Sequence, residues 1–136
     1  MKRFCVLFLL LPCFALAQNT LSVNVSGVKT SDGKISVAVY DTSEGFLKFD
    51  QVFKGTSASA QKGITNVVID DLPDGEYALA VFHDKNANDE LDTNWLGIPK
   101  EAIGFSKAKM KTFGPPRFKE CAMKIDADAE ITIKIK

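Results

Sequence analysis

The chain has 136 residues, of which 46% are hydrophobic and 25% charged, with 17 Lys and Arg balanced by 17 Asp and Glu. Nucleic acids and anionic membranes attract proteins through a concentrated positive field, so this balance argues against either as the main partner. The length is that of one domain, large enough for an ordinary hydrophobic core.

The first seventeen residues have the character of a secretory signal peptide. Two basic residues precede an apolar run ending in Ala-Leu-Ala, and this run is shorter than the roughly 20 residues that cross a bilayer. A lipoprotein signal with Cys13 acylated is disfavoured, because Pro12 stands where such signals use a small residue. We therefore predict cleavage before Gln18, export to the periplasm or the outside of the cell, and a mature domain over 18–136 with no transmembrane segment.

Alternating apolar and polar residues follow along most of the remaining chain and predict β-strands. Leu21, Val23 and Val25 face one way in the first strand, and the turn Ser-Asp-Gly-Lys leads into the second. The run 75–83 is apolar on both faces, which predicts a central strand. Seven short strands predict an all-β fold, a single β-sandwich of immunoglobulin-like or transthyretin-like type. The predicted strands are 20–28, 33–40, 51–59, 64–71, 75–83, 121–126 and 129–136.

Three smaller features add local expectations. Tyr77 follows an Asp-Gly turn by two residues, and we expect its hydroxyl to bond back to that turn, as at the corners of such sandwiches. Helical periodicity is weak, so only short helical turns are predicted, within 43–53 and after the prolines at 115 and 116. Cys121 is the only cysteine after residue 17, and its apolar neighbours predict a buried thiol.

The segment 84–120 is the longest stretch without a predicted strand. Loops beyond about 15 residues are uncommon and usually functional or disordered, and this one is too aromatic for disorder. We expect it to fold over one end or edge of the sandwich, with Trp95, Ile98 and Phe105 brought back onto the sheets. Trp95 and Phe105 form a candidate ligand platform, and the alternative is a loop that packs its own small core.

Oxygen-bearing side chains recur at every second residue where this segment begins. With Asp84 as the first position of a calcium loop, the third, fifth, seventh and ninth positions all suit such a site. The sixth position, which favours glycine, is Asp89, and the twelfth, which should be a bidentate glutamate, is Trp95. Asp89 can adopt a left-handed conformation at modest cost, so the turn is less affected than the coordination. The candidate calcium ligands are Asp84, Asn86, Asn88, Glu90 and Asp92.

Two other interpretations of this stretch stay open. The first is a hairpin in which the Asn and Asp side chains bond their own backbone and need no ion. The second is a metal-dependent hydrolase centred on His83, Asp84 and Glu101, although a zinc site would need two further ligands beside the only histidine. No nucleophile turn, phosphate loop or dinucleotide motif occurs, so we predict no catalytic residue and no cofactor other than calcium.

Five short motifs follow one another between about residues 70 and 123. They are His-Asp at 83–84, the Asn- and Asp-rich loop to 92, Gly-Ile-Pro-Lys-Glu at 97–101, Gly-Phe-Ser at 104–106 and Gly-Pro-Pro-x-Phe at 114–118. In this order they resemble a bacterial family of exported proteins of unknown function. The resemblance implies no established activity, and relatives often have glycine at the position of Asp89.

Together these observations favour a non-enzymatic module over an enzyme. We predict an exported β-sandwich that binds an ion, an envelope polymer or a protein partner outside the cytoplasm through the loop 84–120. The alternative is the uncharacterised hydrolase centred on His83, Asp84 and Glu101.

Overall fold

The structure is a computed structural model that describes residues 17–136, so the signal peptide predicted for 1–17 lies outside the described residues except for Ala17. A 3-10 helix (Phe49–Gln51) and one short helix, α1 (Phe118–Cys121), accompany eight strands. Neither helix in this part of the chain has the length and apolar character needed to cross a membrane. The strands are β1 (Gln18–Val28), β2 (Lys34–Tyr40), β3 (Lys54–Ser59), β4 (Gly63–Pro73), β5 (Gly75–Asp84), β6 (Ile103–Phe105), β7 (Met123–Ile125) and β8 (Ala129–Lys134).

The eight strands form two sheets packed face to face, which confirms the predicted β-sandwich. The smaller sheet has the order β4-β1-β8, and the larger has the order β3-β2-β5-β6, with β7 also paired to β5. Strand β1 runs antiparallel to β4 but parallel to β8, so the chain's first and last strands lie side by side. All seven predicted strands are present with shifted boundaries, and β6 is the strand that the alternation pattern missed.

The core between the sheets is built by the alternation seen in the sequence. Inward residues of β1 and β2 are buried, while the residues between them are partly exposed. Burial at every second position is what a strand with one face on a core requires. The largest fully buried side chains include Leu21, Ile35, Ile69, Leu72, Leu79, Ile133 and Ile135.

A second core covers the outer face of the larger sheet. Five consecutive residues of β5, from Tyr77 to Val81, are buried, so this strand is packed on both sides as predicted. Phe105 of β6 and Phe118 of α1 pack on its outer side together with Tyr40. The long segment after β5 therefore covers a face of the sandwich in addition to supplying the edge strand β6, because the outer side of β5 must also be removed from water.

Two of the local predictions are confirmed. The Tyr77 hydroxyl donates a hydrogen bond to the Pro73 carbonyl oxygen at 2.8 Å, which ties the start of β5 to the preceding turn. The short helical turns lie at Phe49–Gln51 and, after Pro115 and Pro116, at Phe118–Cys121.

The thiol of Cys121 is predicted to be unreactive in the folded protein. Cys121 is a free, buried cysteine, and burial, aided by the negative charge of Glu120, raises the pKa of its thiol to about 11. With this pKa, roughly one thiol in a thousand is ionised at pH 8. The thiolate is the reactive form, so the folded protein should react slowly. We expect a thiol-specific reagent to label Cys121 quickly only in denaturant, whereas an exposed cysteine introduced by Ser59→Cys should react at once. Rapid labelling of the native wild-type chain would contradict this burial.

Candidate functional site

The segment between β5 and β6 leaves and re-enters the larger sheet at neighbouring points. Strand β5 ends at Asp84, and the backbone N–H of His83 donates to the carbonyl of Ala102, just before β6 begins. The intervening residues 85–101 therefore form a closed loop on two adjacent strands. Its base is fixed by the sheet, so the position of the loop depends on how its own polar groups are paired.

Asp84 holds the first turn of this loop through its carboxylate. The side chain is 0% exposed, and its two oxygens accept the backbone N–H groups of Asn88 at 3.1 Å and Asp89 at 2.8 Å. A buried carboxylate is tolerated only where donors replace the lost water. Asp84 thus acts as a buried anchor that makes the chain turn directly after β5.

Glu101 holds the two ends of the same loop together. One carboxylate oxygen accepts the backbone N–H of Lys85 at 3.1 Å, and the other accepts that of Asp92 at 3.2 Å. We call Asp84, Glu101 and these four backbone amides the carboxylate clasp. The pairing links residues 9 and 16 positions apart, so no local sequence pattern could have identified the role of Glu101.

The remaining polar side chains of the loop bond one another. The side-chain amides of Asn86 and Asn88 each donate to Asp92, at 2.7 and 3.0 Å. Their amide oxygens accept the backbone N–H groups of Asn88 and Glu90. These contacts are those of a hydrogen-bonded Asx hairpin.

Calcium binding at the loop remains a prediction. No group of three or more His, Cys, Asp or Glu side chains within 17–136 is arranged to hold a metal ion. The oxygen set at the loop consists of Asp84, Asn86, Asn88 and Asp92, with Glu90 exposed. For calcium to bind, Asn86 and Asn88 would have to rotate their oxygens toward Asp92 and give up their present hydrogen bonds.

Asp89 adopts the left-handed conformation that its position demands, with φ of 65°. Its carboxylate pairs with the Lys34 ammonium on β2, a contact that glycine could not make. Gly33, which precedes Lys34, also has positive φ, and a Cβ there would lie 2.1 Å from the Asp84 carbonyl oxygen. The β1–β2 turn therefore packs directly against the start of the loop, where only glycine fits.

Two of the three residues of the hydrolase alternative, His83 and Glu101, border the same cavity. His83 is 1% exposed, and its Nε2 lies 2.7 Å from the Asp32 carbonyl oxygen, so Nε2 must be the donor. His83 and Glu101 line a cavity of about 210 Å³, but Asp84 is not part of its wall. No ion pair within residues 17–136 includes His83. A hydrolase centred on these three residues remains a prediction.

A larger groove lies on the outer face of the five-stranded sheet and has a volume of about 1160 Å³. Its floor is the sheet itself, where outward residues of β2, β5 and β6 lie side by side. One wall comes from residues 47–52, which follow β2, and the others come from two stretches of the long segment, 89–99 and 110–115. The apolar side chains of this lining include Tyr40, Phe49, Val52, Phe82, Ile98, Ile103, Phe105 and Met110.

The predicted platform of Trp95 and Phe105 is divided between two places. Phe105 is buried and contributes to the groove floor, whereas Trp95 is 91% exposed and is not part of the lining. The expectation that Trp95 packs onto the sandwich is therefore wrong, whereas Ile98, although 55% exposed, borders the groove. The reason is local: the Asn94 side chain accepts the backbone N–H groups of Leu96 and Ile98, which makes a turn that projects Trp95 into solvent.

We predict that Glu101→Gln weakens the clasp and lowers the stability of the folded chain. The glutamine offers one acceptor where the carboxylate offers two, so one backbone N–H loses its partner, at a cost of about 1 to 3 kcal/mol in the free energy of unfolding. Glu90→Gln, which changes an exposed side chain of the same loop, should stay within about 0.5 kcal/mol of wild type. Urea unfolding measures both values, and amide exchange at Lys85 and Asp92 should accelerate only in Glu101→Gln. Equal effects of the two substitutions would contradict the clasp.

The calcium prediction has a separate test. If the loop binds calcium, the ion stabilises the folded chain by about 1.4 kcal/mol at ten times its Kd, and Tm rises accordingly. Asp92→Ala should remove the rise, while Glu90→Ala should keep it, because the seventh position of such loops ligates through its backbone carbonyl. Calorimetry with calcium and with chelator provides the measurement, and an unchanged wild-type Tm would exclude the ion.

Comparison with known proteins places this fold and site in one family. No curated protein and no solved structure gives a significant match to the chain. A family model described as "Uncharacterized protein conserved in bacteria (DUF2141)" matches residues 23–134, from the first strand to the last. This range includes the clasp, the groove and the motifs between 83 and 118. The chain therefore belongs to this conserved bacterial family, as the resemblance of its motifs predicted.

Proposed function

We propose that this protein is an exported, non-enzymatic binding module that holds an apolar, extended segment of a protein partner in the groove on its larger sheet. The observation that carries the proposal is the groove itself, about 1160 Å³ in volume and lined largely by apolar side chains. Ligand sites are usually concave, mainly apolar and provided with a few polar groups. Export rests on the signal peptide predicted for residues 1–17.

The size and the walls of the groove favour an extended occupant. Its volume slightly exceeds the range of about 300 to 1,000 Å³ that holds most small ligands. Phe49 is exposed at one wall and Ile98 at another, so apolar surface continues outside the floor. Exposed apolar surface bordered by polar groups is typical of a protein interaction site.

The edge of the sheet favours a peptide over a polysaccharide. Strand β3 is the outermost strand of the larger sheet, and Gly55, Thr56 and Ser57 border the groove. Along its outer side β3 has no strand partner among the residues that the structure describes. A peptide could pair its backbone with this edge and place alternate side chains in the groove. A polysaccharide lacks the regularly spaced N–H and C=O groups that a peptide backbone offers to such a strand edge.

The carboxylate clasp supports the same function by holding one wall in place. The two sides of this loop are already joined by backbone bonds, among them the Lys100 N–H donating to the Asp92 carbonyl oxygen at 2.8 Å. Asp84 and Glu101 fix both sides of it through four backbone amides. A wall that is ordered before binding avoids part of the entropy loss on association.

Displayed peptides provide the test. Selection on the purified residues 18–136 should yield peptides with alternate apolar residues. The double substitution Phe49→Ser with Ile98→Ser should weaken the binding of these peptides at least about tenfold. The reason is that each buried apolar side chain contributes about 1.5 to 3 kcal/mol.

Ile64→Ser is the matched control, because Ile64 is 60% exposed and Ile98 55%, but Ile64 lies on β4 in the other sheet. The control should bind like wild type, and calorimetry should return the same Kd for both. Binding of purified envelope polysaccharide but not of peptides, or equal losses in the two variants, would overturn the proposed occupant.

A further inference from the structure

The smaller cavity, near His83, has a composition unlike the rest of the protein. Its volume is about 210 Å³, and four lysines and one carboxylate contribute to its wall, together with His83. The formal charge of this lining is +3 with His83 neutral, in a chain that has a net charge of zero over its full length. A terminal carboxylate on Lys136 would reduce it to +2. The lysines are Lys29, Lys85, Lys100 and Lys136.

The topology explains why lysines so distant in sequence meet here. Strands β1 and β8 are parallel, so their carboxyl ends lie at the same end of the sandwich, followed by Lys29 and Lys136. The pairing of Lys34 with Asp84 places the carboxyl end of β5, and with it Lys85, at that end as well. Lys100 arrives with the returning side of the loop, next to Glu101. Each element therefore contributes one lysine to the wall of the cavity.

These charges are only partly offset by the protein. The ion pairs within residues 17–136 use Lys34, Lys111 and Lys124, and none of the four cavity lysines takes part. The only carboxylate side chain in the wall is Glu101, whose two oxygens are occupied by backbone N–H groups of the clasp. Several ammonium groups around one space repel each other, so an anion placed between them would be stabilised.

The rest of the wall suits a small oxyanion. His83 is buried and its ring is fixed by the hydrogen bond to the Asp32 carbonyl, which gives the cavity one rigid polar side. The volume of about 210 Å³ is enough for one compact anion with part of its hydration. Lysine ammonium groups bind phosphate as point charges, and a doubly charged phosphate matches the excess positive charge.

We propose that this basic cavity, formed by Lys29, Lys85, Lys100, Lys136 and His83, binds a phosphate group. The site is distinct from the groove of the proposed function and does not depend on it. The same chemistry is offered by free inorganic phosphate and by the phosphate monoester of a lipid or polymer headgroup. The cavity would recognise the phosphate group that free phosphate and such a headgroup share.

His83, the only histidine of the chain, can report phosphate binding in the cavity. In a protein labelled for NMR, the imidazole resonances report His83 alone, and inorganic phosphate added at constant pH and ionic strength should shift them in a saturable way. Sodium chloride at the same ionic strength should not. Isothermal calorimetry supplies a Kd that does not depend on the resonance.

Paired substitutions separate a site from general charge screening. Lys29→Gln with Lys100→Gln should weaken phosphate binding about tenfold, because two ammonium contacts are lost. Lys48→Gln with Lys119→Gln removes the same charge from exposed lysines outside the cavity and should leave the affinity unchanged. The backbone amide spectrum verifies that each variant is folded.

The source of the phosphate follows from two further ligands. If glycerol 3-phosphate matches inorganic phosphate and vesicles containing phosphatidic acid bind better than phosphatidylcholine vesicles, the site takes a headgroup. If only inorganic phosphate binds, it takes the free ion. The proposal is overturned if phosphate gives no saturable shift, if chloride gives the same shift, or if both lysine pairs reduce binding equally.

Discussion

Strand β5 is apolar on both of its faces, and the remaining architecture follows from the need to cover each of them. Its inner face, with Tyr77, Leu79 and Val81, packs against the smaller sheet. Its outer face, with Ala78 and Ala80, would lie in water in a plain two-layer sandwich. The long segment after β5 returns to this strand and covers its outer face. Its strand β6 pairs with β5, and side chains of β6 and α1 pack on Ala78 and Ala80. The groove is the part of the outer face that this cover leaves open.

A cover of this kind needs a defined starting direction, and two buried carboxylates supply it. Asp84 turns the chain away from the sheet, and Glu101 fastens the outgoing and returning sides to each other. Burying two carboxylates is unfavourable in itself, and the four backbone N–H groups offset that cost. Because those amides also need partners, the loop and its carboxylates are stable only together. The same arrangement explains Asp89, whose left-handed backbone is combined with an ion pair to Lys34.

The two candidate binding places have different physical origins. The groove comes from apolar residues of neighbouring strands and would act through burial of apolar surface. The basic cavity comes from the meeting of strand ends and would act through charge. Both are bordered by the loop 85–101, so the clasp positions one wall of each: Glu101 lines the cavity, Asp89 and Ile98 line the groove, and Pro99 lines both. One rigid loop therefore shapes both surfaces.

The alternation of apolar residues determined the strands, the sandwich, the two-sided burial of β5, the bond of Tyr77 to its turn and the burial of Cys121, because these depend on neighbours in sequence. The family motifs likewise identified the segment on which the candidate site is built. Tertiary structure alone decided the pairing of β6, where Gly104 lies so close to the Lys134 carbonyl oxygen that an added Cβ would be 2.6 Å from it. It also decided the role of Glu101, the exposure of Trp95 and the meeting of four lysines. Each of these depends on which distant backbone atoms come into contact, and period and composition contain no information about contacts between residues that far apart.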